Sequence, residues 1–186
     1  MSSTTVEAPG LTAGVWTIDP THSEVGFSVR HLMVSKVKGS FKTFEGALTI
    51  AANPLDSKVE VSIDASSVDT RDETRDTHLR SSDFFEVEQH PQITFVSTSV
   101  RPSGSDFVVV GDLTIHGVTR SVDLKVEFNG VSPDPWGGTR SGFSASTEIS
   151  RSNFGVEFNI PLDGGGVVVG DKININLEIE AVLQAA

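Results

Sequence analysis

The chain has no cysteine and no tyrosine. The first absence excludes disulfides, thiolate metal sites and a thiol nucleophile. The second leaves the aromatic set, 11 Phe and 2 Trp, almost free of hydroxyl groups. No run approaches the ~20 apolar residues that a membrane-spanning helix needs. The opening MSSTTVEAPGLTAG has no basic residue and no apolar stretch, so it does not read as a secretory signal. Positive charge is also scarce: 14 Lys and Arg stand against 25 Asp and Glu, a net charge of −11. Such a surface repels anionic lipid and, except where a local patch reverses the sign, nucleic-acid backbones. Nucleic acid is therefore not an expected partner. These absences together predict a soluble, cytoplasmic protein with no transmembrane segment.

What is present is a period of two. At 186 residues the chain fits one domain and can bury a core without covalent staples. Residues 1–13 are small and polar, interrupted by Pro9 and Gly10, and read as a flexible tail to a domain spanning residues 14–186. Near the end, Ile173, Ile175, Leu177, Ile179 and Ala181 alternate with Lys172, Asn174, Asn176, Glu178 and Glu180. That places apolar and polar residues on opposite faces of one strand. The same alternation marks seven earlier segments. They carry Val25, Phe27 and Val29; Phe44, Leu48 and Ile50; Val59, Val61, Ile63 and Ala65; Ile93 and Phe95; Phe107, Val109, Leu113 and Ile115; Val122, Leu124, Val126 and Phe128; and Phe143, Ala145, Thr147 and Ile149. Eight strands with polar outer faces point to antiparallel sheet. Turns are expected at Asn53-Pro54, Gly104, His116-Gly117, Asn129-Gly130, residues 133–138 and Gly164-Gly165-Gly166. The short link at His116-Gly117 predicts a hairpin.

Residues 66–90 break the alternation. Residues 70–79 predict a short helix, capped by Asp69 or Thr70 and acidic in its first turn. A further turn over residues 82–85 would dock Phe84 and Phe85 on the sheet. The chain is thus all-β, a barrel or a sandwich, with one short helical insertion around residues 70–85. Eight is also the strand number at which a barrel either fills itself or encloses one small ligand. The phenylalanines suit both outcomes, as walls of a hydrocarbon cavity or as a packed core.

Patterns that carry chemistry are sparse. His22, His31, His78, His90 and His116 form no HxH or HExxH pattern, and no metal or cofactor is expected. The segment SGFSAS (141–146) lacks the second glycine of a nucleophile elbow and lies on a strand. No catalytic residue is assigned and the chain does not read as an enzyme. An enzyme acting on an amphiphile would have His31, Asp76, His78 and His116 as its best groups. Arg71, Arg75 and His78 crowd the insertion, the two arginines four apart on one helix face. They make either a polar rim for an anionic head group or an ion-pair network that holds the helix. His31 continues the inward register of Val25, Phe27 and Val29, as the polar end of an interior or as a core histidine. The glycine triplet is either an anion-binding nest or a flexible hairpin end.

Six segments in order resemble the YceI-like family of lipocalin-like, polyisoprenoid-binding proteins. They are WTIDPTHSEVGFSVRHL (16–32), KGSFKTFEGAL (38–48), SVDTRDETRDTHLRSSDFFEVEQHPQITFVS (67–97), GDLTIHGVT (111–119), ISRSNFGV (149–156) and VGDKININLEIEA (169–181). The resemblance implies an eight-stranded antiparallel barrel around a long apolar tunnel. It implies a bound amphiphile: a polyisoprenoid, an isoprenoid quinone or a fatty-acid-like lipid. It is also compatible with a homodimer. Two features depart from the family: many members are exported, and His90 stands where an aromatic residue often precedes the proline. On this reading the tunnel is lined by Phe27, Val29, Phe44, Val61, Ile63, Phe95, Leu113, Leu124, Phe143, Ile175 and Leu177. Phe84, Phe85, Phe154 and Phe158 stand at an entrance, and His31, Arg71, Arg75 and His78 form the polar rim. The competing outcome is a stress-related scaffold whose barrel is filled by its own side chains.

Overall fold

The computed structural model describes residues 8–162 and 167–185. The first seven residues of the expected tail and the glycine triplet lie outside them. Of the remaining tail residues, Leu11 packs on the core, and Thr12 accepts a hydrogen bond from the indole of Trp16 at 3.0 Å.

The strands are β1 (Gly14–Ile18), β2 (Glu24–His31), β3 (Ser35–Phe41), β4 (Phe44–Ile50), β5 (Lys58–Asp64), β6 (Val68–Asp69), β7 (Gln92–Ser103), β8 (Asp106–Ile115), β9 (Val118–Pro133), β10 (Thr139–Ser150) and β11 (Val169–Leu183), with one helix, α1 (Glu73–Arg80), between β6 and β7. Every pairing between them is antiparallel. The three pairs β1/β2, β3/β4 and β5/β6 behave as long strands bent in the middle. β11 pairs with β1 at Trp16↔Leu183 and Ile18↔Ala181, then with β2 from Glu24↔Glu178 to His31↔Val169. The bend lies at the turn Pro20–His22, where the Asp19 carboxylate accepts from the Thr21 N–H. β3 pairs with β2 and β4 with β1; β5 pairs with β4 and β6 with β3. Counted this way, eight strands form the ring, and the β1–β11 pairing closes it into a barrel.

Local chemistry explains the turns. The β8–β9 link places His116 at φ 54° and Gly117 at φ 72°, the paired left-handed geometry that matches hairpin twist. The expected hairpin is therefore present, with Ile115 opposite Val118. Asn129-Gly130 is not a turn. It lies inside β9, and Gly130 (φ 116°) sits where the β9–β10 register shifts. A glycine there absorbs the bulge without a Cβ clash.

The helix is shorter than expected. It starts at Glu73, and the cap is Asp72, whose carboxylate accepts from the Arg75 N–H at 3.0 Å. Thr70 and Asp69 are otherwise engaged: Asp76 accepts from the Thr70 N–H (2.9 Å) and hydroxyl (2.5 Å), and Asp69 accepts from the Arg71 N–H. Arg71 is left-handed at φ 64°, which no helix tolerates. Among the described residues β6 is hydrogen-bonded to β3 alone, so the sheet is open between β6 and β7, and Arg80 of the insertion donates to the Ser66 and Val68 carbonyls at that edge (2.9 and 3.4 Å). Phe85 reaches in from the same insertion to stack edge-on against Phe41, with ring centroids 5.7 Å apart.

Candidate functional site

The interior of the barrel is a cavity of about 290 Å³, at the lower edge of the range for ligand sites. Its wall follows from the strand period. Inward residues of β9, β10 and β11, among them Val122, Leu124, Val126, Phe143, Ile173, Ile175, Leu177 and Ile179, line it. Each alternates with an outward polar neighbour, yet each is only half-buried. A side chain that points inward and still meets open space faces a hollow.

Fourteen of the expected lining and entrance residues face this space: Phe27, Val29, Phe44, Val61, Ile63, Phe84, Phe85, Phe95, Leu113, Leu124, Phe143, Phe154, Ile175 and Leu177. Phe158 does not. It stacks edge-on against Phe84 (5.4 Å) and His78 (5.0 Å). The interior is not symmetric. Trp16, at 0% exposure, belongs to the packed core with Ile18 and Ala181 and does not line the cavity.

The four expected rim residues do not line the cavity. Arg71 is exposed. Arg75 is consumed locally: its Nε donates to the Thr70 hydroxyl (2.7 Å) and its Nη2 to the Thr70 carbonyl (2.8 Å). His78 donates through Nε2 to Asp83 at 2.8 Å. His31 keeps the inward register, opposite Ser35 and Val169, but stands beyond the lining. The residues named for an enzyme are likewise dispersed, since Asp76 serves Thr70, His78 serves Asp83 and His116 serves Glu86 (3.2 Å).

The charge that does reach the cavity wall is Arg151, which the sequence reading passed over although it lies inside the family-like segment ISRSNFGV. It is 7% exposed. Its Nε donates to the Gly170 carbonyl (2.8 Å), Nη1 to Val156 and Phe158 (3.0 and 2.9 Å) and Nη2 to Val169 (3.2 Å). Burial lowers its pKa, partly offset by the nearby Asp171 carboxylate. The guanidinium ties the segment after β10 to the start of β11 and leaves the cavity with a positive end.

Two groups of metal-capable side chains come together among the described residues, with ligand atoms within 4.8 Å of one another. In Asp19, His22 and Glu180 the place of a cation is taken by Arg140, whose Nη1 donates to Asp19 (2.7 Å) and Glu180 (2.8 Å) while Nε donates to Asp134 (3.1 Å). Arg140 holds the Asp19 carboxyl well below the usual carboxylate range. In Glu86, His90 and His116, the two imidazoles meet edge-on at 5.0 Å beside the carboxylate. Neither group shows in the sequence, because its third member is distant: Glu180 of β11 joins Asp19 and His22 of one turn, and His116 of the β8–β9 hairpin joins Glu86 and His90 of another.

A YceI-like domain model matches residues 16–181. A UPF0312 protein of Staphylococcus epidermidis is 43% identical over 164 residues, covering 87% of this chain and 94% of that protein. Burkholderia cenocepacia BcnA superposes with a TM-score of 0.73 at 25% identity, over 88% of this chain and 98% of its own. A domain of Saccharophagus degradans described as polyisoprenoid-binding shares the fold, with a TM-score of 0.70 at 16% identity, over 91% of this chain and 98% of its own. Barrel, cavity and sequence converge: the chain belongs to the YceI-like family.

Proposed function

We propose that this protein binds a long-chain apolar molecule, a polyisoprenoid or a lipid of similar shape, inside its barrel and carries or sequesters it. The observation that supports this most is the half-buried inward face of β9–β11 around an apolar cavity. An unfilled apolar hollow of about 290 Å³ is costly, because its lining forfeits the contacts that neighbouring atoms would otherwise supply. A chain occupant offsets that cost and gains about 0.8 kcal/mol for each methylene removed from water. Water is a poor substitute, since each molecule needs about two to four polar partners and this wall is almost wholly apolar, with Ser57, Thr147 and Arg151 as its polar side chains among the described residues. The description of the Saccharophagus relative as polyisoprenoid-binding favours an isoprenoid. Arg151, the one charged residue on the wall among the described residues, favours a neutral or anionic end over a cationic one.

The test is denaturing extraction and mass spectrometry of protein purified from its own host, followed by reloading of stripped protein with a polyprenyl phosphate and an isoprenoid quinone. One chain molecule per barrel is expected. Protein that arrives empty and takes up neither compound refutes the proposal.

A further inference from the structure

The β2–β3 hairpin inverts the charge of the molecule. Between Val25 and Phe44 there is no Asp or Glu, yet this stretch holds Arg30, Lys36, Lys38 and Lys42, four of the 14 basic residues in a chain of net charge −11. Lys42 reaches Asp69. Among the described residues, the other three have no carboxylate within ion-pair distance, and all three are exposed. Arg30 lies directly opposite Lys36 across the ladder. Like charges so placed repel.

The tip of this hairpin is apolar. Leu32, Met33 and Val34 are 41%, 51% and 83% exposed. Leu32 (φ 52°) and Met33 (φ 63°) are both left-handed, and the Val34 N–H donates to the His31 carbonyl at 3.2 Å. Asparagine and glycine are favoured in such a turn. Here two bulky apolar residues carry both the backbone strain and the exposure to water. Ile160, 53% exposed, sits beside them, because Val168 accepts from the Leu32 N–H and donates to the Ile160 carbonyl. The cavity extends to this end of the barrel: Val29 and Val169 line it, and Val169 pairs with His31.

We propose that the β2–β3 hairpin docks the protein on an anionic phospholipid bilayer. Leu32, Met33 and Val34 enter the interfacial layer, and Arg30, Lys36 and Lys38 meet the head-group phosphates. The choice of a bilayer over an acidic protein rests on the proposal that the cavity takes a membrane-derived chain. Docking through this end sets the cavity beside the layer from which such a chain comes.

The experiment is cosedimentation with phosphatidylcholine vesicles and with vesicles containing about 30% phosphatidylglycerol, at low and high salt. The wild type is expected to bind the anionic vesicles at least tenfold better than the neutral ones, and to lose that preference in high salt. Met33→Asp with Val34→Asp is expected to lower binding at least tenfold. Lys36→Glu with Lys38→Glu is expected to abolish the preference for anionic lipid. Circular dichroism and thermal melts confirm that each variant is folded. Wild-type protein that ignores both vesicles overturns the proposal, as do variants that bind like wild type. So does a tip that instead mediates a dimer, lost in Val34→Asp, without vesicle binding. Cavity loading with polyprenyl phosphate in detergent is a separate readout. Loading that persists without vesicle binding removes the docking proposal alone, and vesicle binding without loading removes the cavity proposal alone.

Discussion

Two arginines show how differently one side chain can serve. Arg151 is buried and bonded to four backbone carbonyls. Arg151→Met keeps much of the volume but orphans those acceptors, so a loss of about 3 kcal/mol is expected in urea unfolding. A change below about 1 kcal/mol would mean that water replaces the guanidinium freely. Arg140 instead stands among three carboxylates, and its effect is read through pH. The Asp19 carboxyl is depressed in the folded state, chiefly by Arg140. Its contribution to stability is complete above an unfolded aspartate's pKa of about 4 and is lost as pH falls toward the folded value. Arg140→Gln removes the main cause of that depression. The melting temperatures of wild type and variant should therefore differ most near neutrality and converge in acid, between about pH 5 and pH 2. A constant offset across that range contradicts the assignment.

At the scale of the element, glycines let aromatic rings lie flat on the sheet. A Cβ on Gly111 would stand 2.3 Å from Phe95 Cζ and 2.8 Å from the Val96 carbonyl oxygen. Gly111→Val should cost about 2 kcal/mol in thermal unfolding, because the ring and the neighbouring backbone must both shift. Indifference to the substitution would show that Phe95 moves freely into the cavity. Strand alternation was legible wherever a strand is long and half-buried, as in β8 to β11. It was silent for β3, where Ser35–Phe41 offers only Val37 and Phe41 as large apolar residues. β1 is too short to establish a period. The inward lining was readable for the same reason that the strands were. Phe158 lies off the cavity wall itself, in residues 155–160, which have no regular structure and hence no period to read. Arg71, Arg75 and His78 were named from their crowding in the insertion, and His31 from its inward register. Only tertiary placement shows that Arg75 is spent on Thr70 and that Arg151 is the charge on the wall.

For the whole molecule, the question is whether the barrel is hollow by design. Leu124 points inward and is half-buried at the cavity wall. In a packed core, Leu124→Trp would overpack and cost about 1–3 kcal/mol. In a hollow barrel the larger ring has room, so ligand-free stability should change by less than about 1 kcal/mol while lipid loading falls. A large destabilisation with loading intact would point to a filled interior and to binding elsewhere. The most direct measurement is a crystal structure of protein purified from its own host without detergent. The account predicts extended, chain-like electron density running between Phe27, Leu124 and Ile175. An interior closed by the protein's own side chains, with no room for such density, contradicts it.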